Sequence, residues 1–214
     1  KPIIGCEVYV APRTRFDRVH ELDAESRHLV LLCRNEEGYK NLSYMVSKGF
    51  VEGFYIKPRI DMALLRKHCG GLIALSACLA GEIPKRLVNG EYENAKAYAL
   101  EMRDLFGEDG FYLELQDHGI RNQAVVNQGL LRLHEETGIP LVCTNDCHYL
   151  APEDAESHDV LLCIQTGKLV EDEKRMRYEP RNFYVRSTEE MEKLFTRYPE
   201  AIENTGRIAQ LCNL

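Results

Sequence analysis

Short apolar runs alternate along this chain with longer stretches in which apolar residues recur every three or four positions. The short runs read as strands at 3–10, 28–34, 71–76, 111–116, 140–144 and 182–186, and the longer ones as helices. Asn35 is placed to cap a helix running to about Phe50, with Glu36 and Lys40 one turn apart. Asp61 opens a shorter helix to His68. Two longer ones follow, Tyr92 to Phe106 and Ile120 to Thr137, the second stopped by Gly138 and Pro140. Pro152 sits in the first turn of a helix to about Thr166. Ser187-Thr188-Glu189-Glu190 is a capping box that opens a helix to about Phe195, and Pro199 to Leu214 reads as a last helix. Alternation of strand and helix through the middle of the chain predicts a parallel α/β sheet or barrel. Residues 11–27 carry no apolar period, so strands 3–10 and 28–34 lack a crossover helix and are expected to pair antiparallel.

The strands end in polar residues, which is where α/β sheets and barrels place their chemistry. The run Leu141-Val142-Cys143-Thr144 gives way to Asn145, Asp146, Cys147 and His148. In extended backbone Asp146 and His148 point the same way. Cys78 follows the run Leu72 to Ser76 in a turn of small residues. Asp117 and His118 follow Phe111 to Gln116. Glu7 interrupts an apolar strand and shares a face with Gly5, and an unpaired carboxylate there is costly unless it meets a partner or a metal. His28 opens the run HLVLLC and, under antiparallel pairing, comes to the rim that strand 3–10 approaches. Glu, His, Cys, Asp and His at one rim make a candidate divalent-metal site: imidazole and thiolate suit zinc, bridging carboxylates suit clusters of zinc, manganese or iron. For Glu114 the reading is a solvated or paired face position. His20, His68 and His134 read as surface residues, and His158 as structural or supporting.

Composition narrows the function classes. A formal charge of −7 disfavours non-specific nucleic-acid binding, which needs clustered Lys and Arg. Arg13, Arg15 and Arg18 in the 11–27 loop are the local basic patch that could touch a strand. Lys57 and Arg59 in KPRID are candidate phosphate contacts. No apolar run approaches the ~20 residues of a membrane span, and no signal-peptide pattern opens the chain. The eight cysteines form no Cys-x-x-Cys pair and several lie inside apolar runs, as buried thiols of a cytoplasmic protein do. The absence of an initiator Met, with a strand at once and a helix that simply stops, suggests a piece of a longer protein.

The segments GCEVYVAP, HLVLLCRNEEGYKNL, EGFYIKPRID, GLIALSACLAGEIP, FYLELQDHG, PLVCTNDCHYL and HDVLLCIQTG, with the tail NFYVRSTEEMEKLF and PEAIENTGRIA, resemble the PHP (polymerase and histidinol phosphatase) domain of bacterial DNA polymerase III alpha subunits. The resemblance covers nearly the whole chain. It implies an α/β fold, a distorted (β/α)7 barrel of the PHP type missing here its first βα units, with residues 1–170 the barrel and 171–214 an extension toward the polymerase palm. It implies up to three metals at the carboxyl rim, zinc first, with manganese or iron as alternatives. The ligand pattern maps onto Glu7, His28, Cys78, Asp146 and His148, with Lys57, Arg59, Asp117 and His118 as weaker substrate contacts. Further ligands, an opening His-x-His among them, are expected upstream of Lys1, and the magnesium-dependent palm beyond Leu214. The implied activity is DNA-directed DNA synthesis by the intact protein, with the PHP domain as support and as a metal-dependent 3′–5′ exonuclease. The implied partners are DNA and the other subunits of a replicative holoenzyme. This stretch alone is expected to lack polymerase activity, to bind metal weakly and to hold DNA poorly. The rival readings are a stand-alone phosphoesterase of the histidinol-phosphatase type and an inert structural module.

Overall fold

A computed structural model describes all residues from Lys1 to Leu214. Six strands form one sheet: β1 (Gly5–Val10), β2 (Arg27–Cys33), β3 (Arg59–Ile60), β4 (Leu72–Leu75), β5 (Phe111–Leu115) and β6 (Leu141–Cys143). Their order is β3-β1-β2-β4-β5-β6. β1 and β2 pair antiparallel as expected, with Glu7 opposite Val30 and Tyr9 opposite His28. The β4, β5 and β6 strands run parallel, and β2 joins them antiparallel through β4. The mixed α/β, barrel-like architecture is the one the pattern of elements implies.

The helices are α1 (His20–Asp23), α2 (Glu36–Val51), α3 (Met62–His68), α4 (Glu82–Val88), α5 (Tyr92–Phe106), α6 (Arg121–Thr137), α7 (Ala155–Thr166), α8 (Thr188–Leu194) and α9 (Pro199–Leu211). Three expected caps are in place: Asn35 Oδ1 accepts from Gly38 N, Asp61 Oδ1 from Leu64 N, and Ser187 and Glu190 complete their reciprocal box. Pro152 starts a 3-10 turn that leads into α7. The expected strand at 182–186 does not form. That segment makes a single bridge, Tyr149 to Tyr184, and otherwise packs as a loop on the end of β6. Its backbone hydrogen bonds go to side chains and irregular backbone, where no neighbouring strand runs.

Strand alternation divides the sheet into two faces. Leu29, Leu31 and Cys33 of β2, Leu72 and Ala74 of β4, and Phe111, Leu113 and Leu115 of β5 face the helices and make the main core. The other face carries Glu7, Tyr9, His28 and Glu114. Its apolar part, Ile73, Leu75, Tyr112 and Val142, packs against Ile208 and Cys212 at the end of α9. Residues beyond 170 therefore share the sheet's core, and Asn204 Nδ2 donates to the Leu141 carbonyl at 2.7 Å.

The loop 11–27 is organised by internal ion pairs. Arg13 forks onto Asp23, Arg15 meets Glu52 and Asp61, and Arg18 reaches the Glu52 carbonyl. Arg13 and Arg15 are committed to these carboxylates, so they do not form the basic patch expected to touch a nucleic-acid strand. Arg59 corrects a second expectation. Its side chain is 0% exposed, and its guanidinium donates to the carbonyls of Gly53, Asp23, Arg15 and Asp17. It is a buried clasp for the loop: four of its five N–H groups are turned onto backbone carbonyls and the side chain is shut off from solvent. Removing it leaves four carbonyls, two of them in fully buried bonds, short of a donor. Arg59→Met is expected to lower unfolding stability by about 3 kcal/mol, read from the midpoint of urea denaturation; an unchanged midpoint would contradict the clasp.

Candidate metal centre

The antiparallel register sets the site. Glu7 and His28 lie on the same face, one diagonal step apart across β1 and β2, and His28 Nδ1 stands 2.8 Å from Glu7 Oε1. The turn after β4 brings the third group. Ala77 takes a positive φ of 63°, and a Cβ at Gly81 would fall 2.2 Å from the Ser76 carbonyl. Only glycine permits this close return of the chain. The turn is tied to β2 by the His28 N–H, which donates to the Ala80 carbonyl at 3.0 Å. Cys78 Sγ thereby comes within 3.6 Å of His28 Nδ1, and the ligand atoms of Glu7, His28 and Cys78 all lie within 4.8 Å of one another.

Asp146 stands in the same cleft as His28 and Cys78. Its backbone is not the extended one expected from the sequence: β6 ends at Cys143 and Asp146 has φ 41°. The i, i+2 argument for Asp146 and His148 therefore does not describe their geometry. His148 lies exposed beside Asp146, with Nδ1 2.7 Å from the Asp146 carbonyl, which leaves Nε2 as its ring atom for a ligand. Its ring packs against Tyr178, His158 and Phe183. The structure thus brings three of the five expected ligands together, sets Asp146 in their cleft and leaves His148 one step outside.

The electrostatics of this cluster are those of a place short of positive charge. Burial pushes the Cys78 thiol up to about 12, and the charges of Asp146 and Glu7 add to the push. Burial also raises the Asp146 carboxyl, reinforced by Glu7 and opposed by His148, His118 and His28. A divalent cation relieves both penalties at once, since it stabilises the thiolate and the carboxylates together. The donor set of carboxylate, imidazole and thiolate fits zinc.

Of the weaker site residues, Lys57 is exposed, with Nζ 5.6 Å from the centre of the Tyr9 ring, and Tyr9 in turn packs edge-on against His28. Asp117 is exposed and accepts from Gly119 N. His118 does not meet the cleft as a substrate contact. It is 1% exposed, with Nε2 3.0 Å from the Asn145 carbonyl, Nδ1 2.7 Å from Gln123 Nε2, and its ring stacked on Phe183. Nε2 ties the ring to the loop that carries Asp146, and Gln123 of α6 fixes the other ring nitrogen.

Glu114 is the residue that pattern reading undervalued. It is 5% exposed on the site face of β5. Oε1 accepts from Thr144 and Gln116, while Oε2 is buried without a partner. Burial pushes its carboxyl up to about 7, against the pull of those two hydrogen bonds. The one sequence signal was an acidic residue inside the otherwise apolar run FYLEL. The far wall of the cleft, Met176, Arg177, Tyr178, Glu179 and Phe183, comes from a loop whose sequence has no periodicity to announce it.

The α/β sheet thus carries a Glu-His-Cys cluster where β1, the start of β2 and the turn after β4 meet. The PHP domain model matches residues 1–118. DNA polymerase III subunit alpha of Treponema pallidum is 47% identical over 215 residues, covering 100% of this chain and 18% of the relative. The protein of the same name from Borreliella burgdorferi is 47% identical over 214 residues, covering 100% and 19%, and that of Deinococcus radiodurans 44% over 221, covering 100% and 16%. The chain belongs to the PHP domain family. It spans under a fifth of the length of these relatives. No helix is long and apolar enough to cross a membrane.

Glu114 supplies a test of the site's electrostatics in metal-free protein. Its carboxyl has an ordinary value of 4.5 and a folded value of about 7. Between those pH values the folded state holds a proton that the unfolded state has released, so stability declines as pH rises through that window. The ionised group costs about 3 kcal/mol above it. Glu114→Gln is expected to flatten the pH dependence of the thermal midpoint between pH 4.5 and 7 and to raise the midpoint at pH 8. An equally steep decline in the variant would show that another group carries it.

Proposed function

We propose that this chain is the PHP domain of a replicative DNA polymerase III alpha subunit, and that its cleft is a metal-dependent phosphoesterase site acting on the 3′ end of DNA. The observation that carries the second half is the convergence of Glu7, His28 and Cys78 within 4.8 Å, with Asp146 in the same cleft. The first half rests on the match to alpha subunits over the full length of this chain, which includes 171–214 as well as the site. That coverage favours the alpha subunit over a compact stand-alone phosphatase. On this reading residues 1–170 are the barrel and 171–214 lead toward the palm. The intact protein is a cytoplasmic DNA-directed DNA polymerase, its partners are DNA and holoenzyme subunits, and its palm uses magnesium.

Glu7, His28 and Cys78 are the proposed holders of a zinc ion, with manganese or iron as alternatives, and Asp146 and His148 the residues that extend the site toward a second ion. A divalent ion there supplies Lewis acidity and charge neutralisation for a phosphoryl group and its attacking water. The chain's own residues do the rest. The Cys78 thiol gives up its proton on ligation, so affinity for metal rises with pH. The hydrogen bonds of His118, Gln123 and Asn145 fix the Asp146 loop, which holds the carboxylate in place as the charge around it changes. Lys57, above Tyr9 at the rim, is the cation best placed to approach a phosphate from the β1 side.

The experiment is hydrolysis of 3′-labelled single-stranded DNA by the zinc- or manganese-loaded intact protein, which carries the remaining ligands this reading expects. Release of mononucleotides is expected, reduced on the order of 100-fold by Cys78→Ala and by Asp146→Asn, with Lys40→Ala, at an exposed position on α2, as a control outside the cleft. Hydrolysis that survives both ligand variants unchanged would place the activity elsewhere, and a metal-loaded protein that releases no nucleotide would return the domain to a structural role.

A further inference from the structure

We infer that the loop Met176–Phe183, with Tyr178 at its centre, is a nucleoside-binding wall: it receives the terminal nucleoside of a strand whose phosphodiester lies at Glu7, His28 and Cys78. This rests on the phosphoesterase reading above and adds to it the residues that recognise the non-reacting part of the substrate.

The cleft beside the Glu-His-Cys cluster has a volume of about 450 Å³, enough for a nucleotide, and its two sides differ in kind. One side carries His28, Cys78 and Asp146. The loop contributes Met176, Arg177, Tyr178, Glu179 and Phe183, and Leu79, Ala80 and Ile120 add apolar lining. The lining is mostly apolar, with His28, Cys78, Asp146, Arg177 and Glu179 as its ionisable members. That suits a ligand with an anionic group joined to a flat apolar body.

Tyr178 is built to be that wall. Its ring meets Phe183 edge-on, with centroids 5.0 Å apart and planes at 80°, and meets His158 edge-on at 5.1 Å and 85°. His148 packs against it at 4.6 Å. Three rings on separate segments hold it, so little conformational freedom remains to be lost on binding. Its hydroxyl makes no hydrogen bond within the protein, although the ring is half-buried. Burial raises its pKa, and the charges of Asp146, Cys78 and Glu7 raise it further. Met176 beside it is 54% exposed, a polarisable side chain with nothing of its own chain to cover it. Arg177 lines the same cleft. Two of its guanidinium nitrogens rest on the carbonyls of Glu173 and Asp172, which holds an exposed cation at the wall.

A base stacked on an aromatic side chain is recognised through its face and not its edge pattern, so this wall accepts any base. Tolerance of sequence follows, together with discrimination against phosphates that carry no ring.

The test compares binding of thymidine 5′-monophosphate and 2-deoxyribose 5-phosphate by calorimetry in zinc-containing buffer. The unaltered protein is expected to prefer the nucleotide by about tenfold. Tyr178→Ala should abolish that preference while leaving the sugar phosphate bound as before, and Tyr178→Phe should keep it, since the ring face carries the contact. Met176→Ala, on the exposed side of the wall, should reduce the preference with no change in thermal midpoint; it decides the matter if Tyr178→Ala does not fold. Equal binding of the two probes by the unaltered protein overturns the inference. So does an equal loss of both in Tyr178→Ala, which would mark Tyr178 as a prop for the metal ligands. The outcomes separate from those of the hydrolysis reading: a nucleotide preference without hydrolysis leaves the wall standing, and hydrolysis without a preference removes the wall alone.

Discussion

The pairing of β1 with β2 is the constraint on which the site depends. Their antiparallel register places His28 diagonally across from Glu7, and the hydrogen bond from the His28 N–H to Ala80 brings the Cys78 turn to the same point. A slip of one residue in either strand would send Glu7 or His28 to the helix-covered face. The main core prevents that slip: Leu29, Leu31 and Cys33 alternate with His28 and Val30, and each is buried at 3% or less. The same apolar side chains that stabilise the sheet therefore fix the spacing of three potential metal ligands. Packing energy is converted into site geometry with no separate device.

The cost of that geometry is electrostatic. Cys78, Asp146 and Glu114 are all driven toward their protonated forms by burial, and each charge makes the next harder to bear. A protein without a use for this crowding would have replaced it with apolar residues of similar volume. A divalent cation turns the same groups from a liability into a binding site. Around them the chain places hydrogen bonds that cannot neutralise charge but do fix position: Thr144 and Gln116 on Glu114, and His118 and Gln123 behind the Asp146 loop.

What could be read from the sequence was what local chemistry decides. The absence of a crossover helix between 11 and 27 foretold the antiparallel pair, and three helix starts followed from Asn35, Asp61 and Ser187. Strand ends located His28 and Cys78, and an acidic residue within an apolar strand located Glu7. The misses lie where distant segments meet. Arg59 looked like a loop cation because no pattern reveals that four carbonyls from residues 15–53 gather around it. The link between Asp146 and His148 depended on extended backbone, and the chain turns at φ 41° instead. The run 182–186 has strand composition but no partner strand, and Tyr184 makes one bridge. α4 escaped because its start, Gly81-Glu82-Ile83-Pro84, carries no capping side chain. The cleft's far wall is irregular loop, held by ring contacts that only tertiary structure supplies.

The central claim is that Glu7, His28 and Cys78 hold one metal ion through a mixed oxygen, nitrogen and sulfur set. Cobalt substitution reads this directly, because a thiolate ligand gives a sulfur-to-cobalt charge-transfer band in the near ultraviolet alongside the visible bands of a low-coordinate site. The account predicts that the cobalt-loaded protein shows the charge-transfer band, that Cys78→Ser abolishes it, and that His28→Ala weakens cobalt binding while the remaining sulfur band persists at saturation. A cobalt-loaded protein with no sulfur band, or one whose band survives Cys78→Ser, would contradict it.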